Sequence, residues 1–296
     1  MRIGLIDVDG HNFPNLALMK ISAWHKSQGD EVEWWFGFHQ YDRVYMSKVF
    51  DNTYTPDVYE PVNTKEIIKG GTGYGLDNKL PDEVEHMYPD YSLYPELTKD
   101  TAYGFLTRGC PNNCPFCIVS TKEGRKSYKV ADLEEWWDGQ KYIVLLDPNI
   151  LAYPDHMDLL RQLAESKAYV DFNQGLDARF LNEKNIRALN LINTERIHFA
   201  WDLMKNSDKV IEGLQQYIKY GKIKDPARRV VYVLTNFDST MDENLERLYK
   251  LVEMRFDPFV MVYDKPNAPK EIRRLQRWCN NRRIFKSCPR FEDYKG

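Results

Sequence analysis

The feature that most constrains this chain is Cys110-Pro111-Asn112-Asn113-Cys114-Pro115-Phe116-Cys117, preceded by Thr107-Arg108-Gly109. Gly109, Pro111 and Pro115 keep the stretch irregular, so three thiolates at CxxxCxxC spacing can converge on one inorganic centre. Structural zinc asks for four ligands, usually as paired CxxC knuckles, and no second Cys or His pair lies nearby to complete the set. A four-iron, four-sulfur cluster is normally held by four cysteines. Three would leave one iron open to a small molecule, which turns an electron carrier into a reaction site. A zinc-stabilised nucleic-acid-binding module is the non-enzyme alternative.

At 296 residues the chain has room for one large domain, or a large one with a small appendage. Five cysteines, three of them clustered, argue against a disulfide scaffold and for a reducing compartment. There is no N-terminal apolar signal and no run of eighteen apolar residues, so the expectation is a cytoplasmic protein with no membrane partner. The net charge of −3 is unevenly placed: Lys265 to Arg290 carries nine Lys or Arg against the single acid Glu271, a +8 tail on a −11 remainder. Such a basic end, with Trp278 and Phe285 among its cations, allows a nucleic-acid or nucleotide partner. A solvated helix pairing its charges with the acidic body is the plainer alternative.

Four segments follow along the chain. Residues 1–80 read as a small α/β domain: an apolar strand over Met1–Val8, a helix over Asn15–Ser27, then extended runs at Glu31–Phe36, Arg43–Phe50 and Lys65–Ile68. The last runs into Gly70-Gly71-Thr72-Gly73-Tyr74-Gly75, read as a loop over the cluster side, where backbone approaches a ligand closely. Residues 81–100 are a Pro- and Tyr-rich linker. The core, 101–265, opens with a strand at Ala102–Thr107 feeding the cysteine loop. Later apolar runs place strands at Tyr142–Leu146, Tyr169–Phe172, Arg196–Trp201, Val230–Leu234 and Phe259–Tyr263. Helices fall between them at Asp155–Ala164, Glu183–Leu191, Ser207–Tyr220 and Asp242–Met254. Residues 266–296 form the basic C-terminal extension.

The cysteine triplet, with the aromatic Phe116 just before its last Cys, resembles the signature of the radical S-adenosylmethionine (SAM) superfamily. That resemblance implies a partial (β/α)6 barrel of α/β class, Rossmann-like domain in front. It also implies a [4Fe-4S] cluster on Cys110, Cys114 and Cys117, SAM as cofactor, and a one-electron donor such as flavodoxin or ferredoxin. Residues just past each strand should then converge on the cluster mouth. Asp147 and Asn149 would accept from the SAM amino group, Asn173 or Gln174 would bind ribose, and Arg179 would hold the carboxylate. Asp177 is equally a helix N-cap. Asp202 is a candidate for ribose or substrate, and Asn236 borders adenine in this reading, each against a simple capping role. The first eighty residues resemble a shortened cobalamin-binding domain. Asp7-Val8-Asp9-Gly10-His11 has letters similar to the cobalt-ligating Asp-x-His-x-x-Gly loop but not its spacing, so the region reads as a degenerate structural domain, with cobalamin and a cobalamin-dependent methyltransferase as the alternative. Ile118 to Gly124 resembles the matching segment of methylthiotransferases, yet the extra upstream cysteines of those enzymes are missing before Cys110.

Overall fold

The computed structural model describes residues 1–296 apart from His11, so the histidine of the Asp7–His11 stretch lies outside the described residues. The chain divides into two compact units: residues 1–104 with 131–143, and residues 105–130 with 144–296. The expected core thus gives its first strand, Thr101–Gly104, and a later segment to the first unit. Among the described residues no helix is long and apolar enough to cross a membrane.

The first unit is built on a parallel sheet of order β2-β1-β3-β4, with β1 Arg2–Asp7, β2 Glu31–Trp34, β3 Arg43–Ser47 and β4 Ile67–Gly70. The Leu16–Ser27 helix packs Leu18 on Ile3 and Leu5, and its N-cap Asn15 accepts from Leu18 N. The glycine-rich turn corrects its sequence reading. A Cβ on Gly71 would lie 2.3 Å from Lys48 O, and one on Gly73 2.2 Å from Phe50 O. Close packing on the 48–50 backbone, rather than approach to a ligand, requires these glycines. The expected linker carries short helical pieces at Asp82–Glu85 and Pro95–Thr98 and leads into β5, Thr101–Gly104.

The second unit begins with a ribbon, β6 Thr107–Arg108 antiparallel to β7 Tyr128–Lys129, which closes the cysteine loop at its base. The chain re-enters this unit within β8, Tyr142–Leu145, followed by β9, Tyr169–Phe172, whose end lies beside it through Asn173 N donating to Leu145 O at 3.3 Å. A wholly parallel sheet then runs β10-β11-β12-β13: Leu176–Asp177, Ile197–Ala200, Arg229–Thr235 and Asp257–Val262.

Alternation along these strands separates two faces. Ile197, Phe199, Val231 and Val233 are buried on one, consistent with the amphipathic helices that the chain inserts between strands. Ser207–Tyr220 buries Val210, Gly213, Leu214 and Tyr217 at helical spacing. Gly213 is needed there, because a Cβ would meet Ala178 O at 1.8 Å. Met241–Glu253 starts on a Thr240/Glu243 capping box and buries Arg247, Leu248 and Leu251. The other face, carrying His198, Ala200, Tyr232, Leu234 and Phe259, lines a cavity of about 640 Å³.

The basic extension folds as helices Lys270–Asn280 and Arg282–Ser287. Here too the structure corrects the sequence reading. Trp278 is fully buried, donates Nε1 to Cys288 O at 2.8 Å and packs against Phe285 and Phe291. It is core, not a platform for bases. Arg282 pairs with Asp257 and Arg290 with Glu292, while Arg274 lies over Phe291.

Candidate active site

The cysteine loop is held at both ends before any ligand is considered. Glu123 accepts from Arg108 Nη1 at 2.9 Å and from Gly109 N at 3.0 Å, and Cys110 N donates to Gly124 O at 3.2 Å. Gly109 has φ 75°, and a Cβ there would lie 2.1 Å from Lys126 O, so this position tolerates only glycine without rearrangement. Cys117 N closes a turn on Cys114 O at 3.0 Å. All three thiols are free and half-buried.

Asp147 anchors the strand that enters the loop. Its carboxylate accepts from Leu106 N at 2.8 Å, Thr107 N at 2.7 Å and the Thr107 hydroxyl. Burial pushes its pKa up to about 7, against the pull of those three donors. Both oxygens are committed to backbone at the loop entrance.

Asn149, at 3% exposure, lies deeper in the site. Its Nδ2 donates to Asp177 Oδ2 at 3.0 Å and reaches Cys110 Sγ at 3.5 Å. The carboxylate fixes which end of the amide is nitrogen, so Oδ1 is a buried acceptor without a protein partner. Such an atom is costly unless something donates to it.

Asp177 is the hub. It caps the 178–180 turn by accepting from Arg179 N, as its N-cap reading anticipates, and it does much more. Arg179 grips it through Nε and Nη2, both at 2.8 Å, and Asn112 from the middle of the cysteine loop donates to it at 2.6 Å. Burial works against the Arg179 charge, but the Asp177 hydrogen bonds and the nearby Cys114 prevail and raise its pKa. Cys114 and Cys117 are raised chiefly by burial, with a smaller push from the neighbouring thiols. The three cysteines, Asn149, Asp177 and Arg179 are thus linked in one electrostatic network.

Asn173, Gln174, Asp202 and Phe116 border the cavity on the open sheet face. Burial lifts the Asp202 carboxyl to about 6, with Arg247 and Arg179 opposing and Asp177 reinforcing. Phe116 meets Phe237 edge-on at 5.6 Å, and Phe237 meets Tyr263 at 5.0 Å. Asn236, in the left-handed region at φ 63°, spends its amide on Tyr263 O at 2.8 Å and joins two strand ends. Arg247, fully buried, supports this rim from beneath by donating to Trp201 O, Asp202 O and Leu234 O at 2.9–3.0 Å.

Sequence reasoning did not single out Asn112, Arg247, His198 or Tyr232. A signal existed for the last two, since polar residues at alternate positions of otherwise apolar parallel strands mark the face that is not packed. Asn112 and Arg247 act through carbonyls and carboxylates that only the fold brings near.

Among the described residues no three His, Cys, Asp or Glu side chains are gathered to enclose a single metal ion. An iron–sulfur cubane sets a different demand, since each thiolate binds its own iron. Three thiols on one glycine-pinned loop fit the thiolate donors of such a cluster, with an orphaned amide oxygen and a guanidinium nearby.

This is an α/β protein with parallel sheets whose polar strand ends gather beside a three-thiol loop, and its comparisons support a radical SAM relationship at low identity. The chain is 24% identical over 265 residues to the tRNA-2-methylthio-N(6)-dimethylallyladenosine synthase of a Sulfurihydrogenibium species, a match covering 79% of this chain and 59% of that relative. It is 33% identical over 119 residues to a CDK5RAP1-like protein of Oryza sativa subsp. japonica, covering 36% of this chain and 19% of the relative. A CDK5RAP1-like protein of Caenorhabditis elegans matches at 25% over 123 residues, 39% and 22% of the two chains. These matches span between 19% and 59% of the relatives' lengths. No family model matches the chain.

Proposed function

We propose that this chain is a radical SAM enzyme that abstracts hydrogen from a nucleotide or nucleic-acid substrate, with a [4Fe-4S] cluster on Cys110, Cys114 and Cys117. The observation that carries the reading is Asn149 Oδ1, a buried acceptor without a partner, on an amide whose other end reaches Cys110 Sγ. An ammonium brought out of water beside a cluster needs such an acceptor. The relatives, one of them named for a tRNA-modifying synthase, support the same class and the substrate chemistry.

A reduced cluster held by Cys110, Cys114 and Cys117, with SAM beside it, would supply one-electron reductive cleavage chemistry. The chain's own residues provide position. Asn149 accepts from the SAM amino group, and Arg179, its plane set by the Asp177 grip, faces the carboxylate. Asn173 or Gln174 meets the ribose diol. Asp202, holding a proton up to about pH 6, accepts or donates at a ribose hydroxyl according to pH. Asp147 acts through the strand it anchors and touches no cofactor. The Phe116, Phe237 and Tyr263 rings shield the mouth from water. A partial (β/α)6 barrel would surround the substrate, and a one-electron donor such as flavodoxin or ferredoxin would deliver the electron.

Anaerobic reconstitution tests this. The protein should take up about four irons and four sulfides per chain, and SAM should change the electron paramagnetic resonance spectrum of the reduced cluster. Asn149→Ala should keep the iron and lose the SAM-induced change. Purification with zinc and no capacity for iron or sulfide would contradict the proposal.

A further inference from the structure

We infer that the open face of the β11-β12-β13 sheet is a stacking site for a nucleobase. The inference rests on the enzymatic reading above and names what its substrate presents. Three rings occupy adjacent strands on that face. His198 lies flat against Tyr232, centroids 5.3 Å apart and planes 7° from parallel, and Phe259 meets Tyr232 edge-on at 5.9 Å. The register sets Tyr232 beside Phe259 and Leu234 beside Met261. Phe259 and Met261 remain 38% and 44% exposed in the cavity wall. An apolar, ring-rich patch on the unpacked face of an otherwise buried parallel sheet calls for a flat partner.

The imidazole of His198 also contacts Asp171, Nδ1 to Oδ1 at 3.1 Å, with both atoms buried. Exposed Arg196 also lines the cavity and offers a cation for phosphate. Stacking surface and a cation on one cavity wall together match a base with its 5′-phosphate. The cationic C-terminal helices do not supply the rings, because Trp278 is buried.

Equilibrium binding of adenosine 5′-monophosphate to the full chain, with ribose 5-phosphate as the ring-less control, tests the inference without requiring turnover. The nucleotide should bind and the control should not. Phe259→Leu and His198→Leu should each weaken binding about tenfold, the scale of one lost base stack. Phe259→Tyr should restore it, which separates stacking from misfolding. A short single-stranded RNA that binds more tightly than the mononucleotide would assign the base to a strand, and equal binding would assign it to a free nucleotide; either supports the site. Equal affinity for nucleotide and control, unchanged affinity in both leucine variants, or displacement of the nucleotide by saturating SAM would overturn it. SAM binding measured in parallel keeps the two proposals apart, since its retention without nucleotide binding sinks only this one.

Discussion

Asn112 donates to the Asp177 carboxylate at 2.6 Å, tying the middle of the cysteine loop to the strand end that also orients Arg179. One carboxylate therefore couples the position of the thiols to the position of the guanidinium. Asp177→Ala should release Asn112, Asn149 and Arg179 together. Expected outcomes are a lower iron content after reconstitution and SAM affinity weakened at least about tenfold, the effect of leaving a half-buried cation unpaired. Iron analysis and isothermal titration check both, and Asp177→Glu should recover part of each.

Gly109 makes a sharper structural prediction. Alanine there would sit at φ 75° with its Cβ 2.1 Å from Lys126 O. Gly109→Ala should displace the loop and lower iron incorporation while leaving the parallel sheet folded. Far-ultraviolet circular dichroism near that of the parent, with reduced iron, is the expected pair of readings.

Arg247 should matter for stability more than for binding. It satisfies three strand-end carbonyls and the Asn244 side chain, the last at 2.6 Å. Arg247→Met keeps length and apolar packing but strands those acceptors, at a cost of about 3 kcal/mol or more. Urea denaturation of the two proteins at equal pH measures the loss.

Asp147 gives a pH dependence with a definite sign. Its folded pKa of about 7 lies above that of an unfolded aspartate, about 3.9. Below about pH 4 both states hold the proton. Between about pH 4 and 7 the unfolded chain loses it first, so stability falls as pH rises, by at most about 1.4 kcal/mol per unit, and levels off above. Asp147→Asn removes this dependence and misplaces a donor against Leu106 N or Thr107 N. The variant should be less stable at pH 5, and its gap from the parent should narrow by pH 7.5. A gap that stays constant between pH 5 and 7.5 would show that the carboxyl is ionised throughout.

Much of the second unit was readable from apolar runs. Strands expected at Tyr169–Phe172 and Val230–Leu234 appear as Tyr169–Phe172 and Arg229–Thr235, and the Ser207–Tyr220 helix has its expected bounds. These segments pack one face against helices, so periodicity reports them directly. The strand expected over Ala102–Thr107 breaks instead into Thr101–Gly104 and Thr107–Arg108, because Asp147 draws Leu106 and Thr107 to itself. No local pattern announces a pull from forty residues away. The glycine-rich turn misled for a related reason. Glycine marks any close approach to backbone, and here the neighbour is Lys48–Phe50. Trp278 shows the limit of composition, since an aromatic among arginines reads as a base-stacking residue until the core of its own helix claims it.

In the proposed function the Cys110–Cys117 loop seats a cluster on which SAM is cleaved. Its most direct test is 5′-deoxyadenosine formation by the anaerobically reconstituted protein given SAM and a strong reductant. The parent should form this product, and Cys114→Ala should form none above background. Formation of 5′-deoxyadenosine at parental rate by the variant, or by neither protein despite a full complement of iron, would contradict it.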